Sequence, residues 1–472
     1  MISTTACDRE SSVGLSEELL ARADKPGPRY TSYPTADRFV EAFGAAAHAG
    51  ALAQRAQGAA VGGRPPLSLY VHIPFCESVC YYCACNKVVT RQHERALPYL
   101  DALEAEIGMV VRALGPTESV AQLHFGGGTP TFLSDDELRR LLAALRGAFR
   151  FDPRLEASIE VDPRTVTPQR LTLLADLGFS RLSFGVQDFD ADVQRAVHRI
   201  QPESQVRELI EHARRVGFES LNVDLIYGLP KQTPTSFRRT VAQVAALRPD
   251  RIAMYAYAHL PQRFKPQRRI DASQLPTAMD RVSMLHGAID AFLEAGYENI
   301  GMDHFALPGD SLAVAKRQGR LHRNFQGYST QPDCDLIGLG VSAISRIGSS
   351  YSQNAKTLPE YYDALRQGQW PVVRGLSLTR DDLVRRAVIM ALMCQGRVEF
   401  ESIEVAHLVS MREYFKRELE ELQTLAEQGL VEIEPDAIEV TPLGWYFVRA
   451  VAMVFDRYLQ SDLRREHFSR VI

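Results

Sequence analysis

From about residue 67 a short apolar run followed by a helix-period stretch recurs along the chain. The apolar runs fall at residues 67–75, 121–125, 157–161, 181–186, 221–227 and 252–257, and their length and spacing predict six strands. Between them, apolar positions return at helical period over about 98–114, from 134 onward, over 168–177, about 204–216 and about 236–247. Ser134 and Glu137 stand at capping-box spacing, and Gly178 follows the 168–177 stretch as a helix stop. Strand and helix in alternation predict a parallel sheet with right-handed crossovers, as an open doubly wound sheet or as a barrel, complete or partial. In both, ligands gather at the C-terminal ends of the strands.

The pattern is different at both ends. Residues 1–66 contain Ala/Gly-rich stretches around the segment Pro28-Arg29-Tyr30-Thr31-Ser32-Tyr33-Pro34, an N-terminal arm more than a domain. From about 378 the period is helical, over 380–393 and 411–428. A short hairpin follows, with strands 431–433 and 438–440 around a Glu434-Pro435-Asp436 turn. Helix, hairpin and helix predict a small, mostly helical, winged-helix-like C-terminal domain. The expected division is therefore 1–66, 67–377 and 378–472.

With 54 Lys+Arg against 58 Asp+Glu, the net charge of -4 gives no support to nucleic acid or an anionic membrane as the main ligand, even though winged-helix modules often bind DNA. Asp8 and Glu10 stand where a signal peptide would be apolar, and no run is long and apolar enough to span a bilayer. The expectation is a cytoplasmic chain. With no association stripe in the pattern, it is also expected to be a monomer.

Of 7 cysteines, Cys76, Cys80, Cys83 and Cys85 crowd together just after the first strand, while Cys7, Cys334 and Cys394 stand alone. That is a metal-ligand distribution, not a disulfide framework. Three thiols spaced by three and two intervening residues can turn inward in one loop around an iron–sulfur cluster. On a 4Fe-4S cluster they would leave one iron open to an exogenous ligand, with Cys85 spare. A four-cysteine zinc site is the competing reading, but zinc knuckles usually pair two separated Cys-x-x-Cys units and a second unit is missing here.

The Cys-x3-Cys-x2-Cys loop resembles the signature of radical S-adenosylmethionine enzymes. The wider string from Tyr70 to Asn86, with the extra Cys85, is similar to that of the oxygen-independent coproporphyrinogen III oxidases. That resemblance continues through 29–34, the Gly126-Gly127-Gly128-Thr129-Pro130 turn, 224–230, 258–261, 324–328, 338–345 and the C-terminal 468–472. It implies a partial (β/α)6 TIM-like barrel in the α/β class, one 4Fe-4S cluster on Cys76, Cys80 and Cys83 with an open iron, and two molecules of S-adenosylmethionine. The first would be met by Tyr70, Gly127, Glu160 and Ile344. The second would be met by Tyr82, Gly128, Thr129, Gln187, Arg199, Asp224 and Ala258. Arg29, Tyr30, Phe325 and Gln326 are the candidates for substrate contact or a lid over the site.

The implied reaction is oxygen-independent. A 5′-deoxyadenosyl radical takes hydrogen from two propionate side chains of coproporphyrinogen III, on rings A and B. Loss of carbon dioxide and an electron from each leaves vinyl groups and protoporphyrinogen IX, in haem biosynthesis. The implied partners are this tetrapyrrole and a low-potential electron donor. Lys87, Arg91, Arg263 and Lys265 lie just past strand ends, where cations would meet a substrate with four carboxylates. Alternatives of other kinds are a related haem chaperone and another radical S-adenosylmethionine enzyme acting on tetrapyrroles. Cys85 and the Pro-Arg-Tyr-Thr-Ser-Tyr-Pro arm discriminate against the chaperone.

Overall fold

The computed structural model describes residues 27–58, 65–115, 118–331 and 334–461; Cys7, the acidic N-terminus and the 468–472 segment lie outside the described residues. Twelve strands form one sheet. They are β1 (Leu67–Ile73), β2 (Ser119–Gly127), β3 (Arg150–Val161), β4 (Arg181–Gln187), β5 (Ser220–Tyr227), β6 (Arg251–Ala256), β7 (Glu298–Gly301), β8 (His304–Ala306), β9 (Leu336–Leu339), β10 (Ile344–Ile347), β11 (Ser350–Asn354) and β12 (Val372–Ser377).

Their order is β12-β11-β10-β9-β1-β2-β3-β4-β5-β6-β8-β7. Strands β1 to β6 are parallel neighbours in chain order, and β9 adds in parallel to β1. Antiparallel strands extend both ends. Among the described residues the edge strands β12 and β7 do not pair, so the barrel is partial.

The strands are two-faced. On β1, Leu67, Leu69, Val71 and Ile73 are fully buried under the helices, while Ser68, Tyr70 and His72 share the opposite, concave face. On β5, Leu221, Val223 and Leu225 pack outward and Asn222 and Asp224 alternate inward. Polar side chains therefore line the concave face, and the apolar core lies between the sheet and the helices. The helices include α1 (Ala45–Gln57), α2 (Ala96–Leu114), α3 (Asp135–Ala148), α4 (Pro168–Asp176), α5 (Glu203–Arg215) and α6 (Pro234–Leu247). Helix α3 has the expected Ser134/Glu137 capping box and buries Leu138, Leu141, Leu142 and Leu145, each contributing roughly 1.5–3 kcal/mol.

The Ala/Gly-rich part of the expected arm contains a helix, α1. Alanine is the best helix former, and α1 gains its place from buried His48 and Leu52. Arg55 then ties it to Glu118 at 2.7 Å and Asp335 at 2.6 Å. Beyond β12, helices Arg380–Gln395, Phe400–His407 and Lys416–Glu427 surround a small antiparallel sheet of Arg397–Glu399, Ala437–Val440 and Val431–Ile433. No helix among the described residues is long and apolar enough to cross a membrane.

Candidate active site

Pro74 follows β1 directly, and the chain turns there into the thiol loop. Cys76, Cys80 and Cys83 line one cavity of about 550 Å3 together with Tyr82, Gly127, Gly128, Thr129, Glu160, Gln187, Arg199 and Asp224. The loop is held against the glycine turn after β2. Gly128 N donates to Ile73 O and Thr129 N to Phe75 O, both at 2.8 Å. A side chain at Gly128 would stand 2.6 Å from the Pro74 carbonyl oxygen, and one at Gly127 2.5 Å from the His72 ring. With φ +116°, Gly127 also occupies backbone space that other residues rarely adopt.

Each strand end adds a polar group. Glu160, at the end of β3, accepts from Gly127 N at 3.1 Å. Burial pushes its carboxyl up, yet hydrogen bonding and charge from His124 together with the Gly127 amide hold it below the usual carboxylate range. Asp224, on β5, accepts from Ser183 at 3.0 Å and Asn222 at 2.9 Å. Burial, and then the charge of Glu160, raise it to about 6. Gln187 ends β4 at φ 70°, a strained conformation for a residue with a side chain and of the kind found at functional sites.

The sulfur atoms receive hydrogen bonds. Thr129 Oγ1 donates to Cys76 at 3.5 Å, and Arg164 Nη2 and Arg199 Nη1 both donate to Cys80 at 3.4 Å. Asp162, buried between these arginines, is held below its usual range: burial opposes this, and the charges of Arg199 and Arg164 outweigh it. Burial pushes the Cys76 thiol up to about 11. The hydrogen bond from Cys85 draws Cys83 down to about 5 despite burial, and Cys85 itself is exposed.

Other expected residues stand back from this cavity. Tyr70 stacks on His124 at 5.8 Å and its hydroxyl meets His72 Nδ1 at 3.1 Å. Ala258 is joined to the cavity through Gln267, whose amide donates to the carbonyls of both Tyr82 and Ala258 at 3.0 and 3.2 Å. Ile344 opens β10, paired with Gln353. Gln326 lines an adjoining chamber of about 180 Å3 that shares Glu160, Asp224 and Tyr255 with the main cavity, and Phe325 meets Tyr351 edge-on at 5.7 Å.

Arg29 and Tyr30, the arm's candidates for substrate contact or a lid, have different surroundings. Tyr30 is fully buried against the C-terminal helices and donates to Asp456 at 3.0 Å. Arg29 pairs with Asp303 at 2.6 Å and lies over the ring of Tyr255, which lines both the main cavity and the adjoining chamber. Of the proposed cations, Lys87 and Arg91 line the cavity. Arg164 had escaped the sequence reading; the Asp162-Pro163-Arg164 turn directly after a strand was the available signal.

Residues 70–244 match the family model described as the Radical SAM superfamily, and residues 378–447 match the HemN C-terminal domain. Fold and thiol loop thus define a radical S-adenosylmethionine enzyme.

The oxygen-independent coproporphyrinogen III oxidase of Pseudomonas aeruginosa is 50% identical over 457 residues, covering 96% of this chain and 98% of its own. That of Escherichia coli K12 is 49% identical over 455 residues, with the same coverage of 96% and 98%. The solved structure of coproporphyrinogen III oxidase (HemN) from Escherichia coli aligns with a TM-score of 0.87 at 49% identity, over 91% of this chain and 97% of that one. The chain belongs to the oxygen-independent coproporphyrinogen III oxidase family. It is an oxidoreductase of the radical S-adenosylmethionine type, and the family brings a 4Fe-4S cluster and S-adenosylmethionine. The donor set fits: three thiols face one cavity, with hydrogen-bond donors already on two of their sulfurs.

Proposed function

We propose that this chain converts two propionate side chains of coproporphyrinogen III, on rings A and B, to vinyl groups and so forms protoporphyrinogen IX. The observation that carries the reading is the convergence, in one cavity, of the three-thiol loop with strand-end groups suited to a nucleoside and an amino acid. When bound, the 4Fe-4S cluster with S-adenosylmethionine supplies the one-electron chemistry that removes hydrogen from the carbon next to the pyrrole ring.

The chain's own residues bind and orient. Cys76, Cys80 and Cys83 hold the cluster as thiolates. Glu160, kept ionised by His124 and fixed by the Gly127 amide, accepts hydrogen bonds from the first S-adenosylmethionine, with Tyr70 and Ile344 beside it. Asp224 and Gln187 take the polar groups of a second molecule. Its carboxylate meets Arg199, and Tyr82, Gly128, Thr129 and Ala258 complete its surroundings. Strand-end acids commonly hold ribose hydroxyls in this way. The cofactor carries the difficult chemistry, and the protein's part is position and the exclusion of water. The same reading takes the chain as a cytoplasmic monomer fed by a low-potential electron donor.

The test is anaerobic incubation of the reconstituted protein with coproporphyrinogen III, S-adenosylmethionine and a low-potential reductant. Mass spectrometry follows the tetrapyrrole and 5′-deoxyadenosine. Loss of two carboxyl-plus-hydrogen units with 5′-deoxyadenosine formed is the expected result. An intact cluster with a tetrapyrrole of unchanged mass would overturn it and move the reading to haem binding.

A further inference from the structure

Three cations stand close enough to act on one another's charge. They come from distant parts of the chain: Arg263 from the loop after β6, Lys356 just past β11, and Arg374 on β12. The gap in the partial barrel lies between the β12 edge and the β8/β7 edge beside β6, so these residues approach it from both sides. Among the described residues none of the three forms an ion pair. Elsewhere, Arg55, Arg140, Arg385 and Arg397 each contact two or more carboxylates.

The strand register sets Arg374 close to the expected cofactor site. Ile344 is paired with Gln353, and Gln353 with Arg374, so the three stand in one row across β10, β11 and β12. Arg374 Nε donates to Gln353 Oε1 at 2.7 Å. Lys356 is tied to the thiol loop from the other direction, since Asn86 Nδ2 donates to its carbonyl at 3.0 Å.

Buried aromatic rings pack behind Arg374. The Arg374 guanidinium lies 5.7 Å from the Phe39 ring centre, Phe39 stacks on Tyr351 at 5.6 Å, and Phe325 meets Tyr351 edge-on.

The three charges act on one another. Lys356 is held below its usual pKa by burial first and then by Arg374 and Arg263. Arg374 is lowered by burial and by Arg263, against an opposing effect of Asp37. Mutual repulsion of this kind is relieved when an anion with several charges binds.

We propose that Arg263, Lys356 and Arg374 form the carboxylate-recognition edge of the site, holding the propionates of the tetracarboxylate substrate that are not reacting while another is presented above the thiol loop. This rests on the activity proposed above.

The experiment compares wild type with Arg374→Gln, Lys356→Gln and the double variant in anaerobic steady-state turnover of coproporphyrinogen III, with iron content checked in each. A charge-assisted hydrogen bond contributes about 1.5–3 kcal/mol, so the KM of the double variant should rise about tenfold or more. Lys356→Arg should restore most of the loss of Lys356→Gln. A parallel fluorescence titration uses the stable oxidised macrocycles: coproporphyrin III, with four carboxylates, and mesoporphyrin, with two. Wild type should prefer the former, and the double variant should lose that preference. An unchanged KM or an unchanged preference overturns the recognition edge alone. Failure of the wild type to convert the substrate overturns the activity, and the recognition edge with it.

Discussion

The Arg199 guanidinium lies between the Cys80 sulfur, 3.4 Å from Nη1, and the Asp162 carboxylate, 3.2 Å from each terminal nitrogen. Arg164 repeats the arrangement from the other side, donating to Asp162 at 2.7 Å and to the same sulfur at 3.4 Å. Asp162 thereby fixes two cations on the sulfur of Cys80, a proposed cluster ligand.

Hydrogen bonds to ligand sulfurs raise the reduction potential of an iron–sulfur cluster, because they stabilise the more negative, reduced state. Arg164→Gln removes one such donor and leaves Asp162 paired with Arg199. The expected result is a more negative midpoint potential in an EPR-monitored redox titration of the reconstituted protein. An unchanged midpoint would mean that Arg164 serves only to neutralise Asp162.

The proposed reading divides the thiols into three ligands and a spare. Cys80 is buried between two guanidinium donors, whereas Cys85 is exposed at the end of the loop. Cys80→Ser is expected to abolish the cluster, measured as iron bound per chain and visible absorbance after reconstitution. Cys85→Ser should keep both at the wild-type level. Loss of the cluster in both variants would mean that the ligand set is misassigned.

Asp224 links the site to stability. Its carboxyl is raised by burial and by Glu160 from 3.8 to about 6 in the folded chain, so between about pH 4 and 6 the folded state binds more protons than the unfolded one. Stability from this group therefore falls as pH rises through that window and is level above it. The difference amounts to about 3 kcal/mol at most. Asp224→Asn keeps the shape without the charge, so Tm measured from pH 4 to 7 should fall less steeply in the variant. Equal slopes would place the proton on another group.

The barrel strands and the thiol loop were legible because each is a local pattern. Alternation marks the two faces of β1 and β5, and the spacing of Cys76, Cys80 and Cys83 needs no tertiary contact to be read. What escaped depends on contacts between distant segments. Arg449 donates to Pro28 O across 421 positions at 3.1 Å, and Tyr30 reaches Asp456 across 426. The arm's burial between barrel and C-terminal helices therefore leaves no periodic trace. Arg374 carries no local signal either, and only the register of β10 to β12 sets it in one row with Ile344. The concave-face residues Glu160, Gln187 and Asp224 were readable as strand ends, and it took the sheet order to show them facing one cavity.

Glu106 of α2 is a buried carboxyl with three donors: Gly340 N at 2.7 Å, Asn354 Nδ2 at 2.6 Å and Tyr361 Oη at 2.6 Å. Burial keeps it above the usual carboxylate range in spite of them. Two turns earlier on the same helix, Tyr99 Oη donates to His72 O at 2.5 Å and accepts from Val341 N at 3.1 Å. Together the two side chains pin the β9–β10 turn to β1 beside the thiol loop. Glu106→Ala strands three buried donors, each costing about 1–3 kcal/mol, so unfolding in urea should show a loss of at least about 3 kcal/mol. Glu106→Gln keeps an acceptor oxygen but turns an amide toward donors, and its loss should be smaller. Because Ile344 follows this turn, Glu106→Gln should also weaken S-adenosylmethionine binding in equilibrium dialysis. A stable Glu106→Ala protein with wild-type affinity would show that the turn holds its place without the carboxylate.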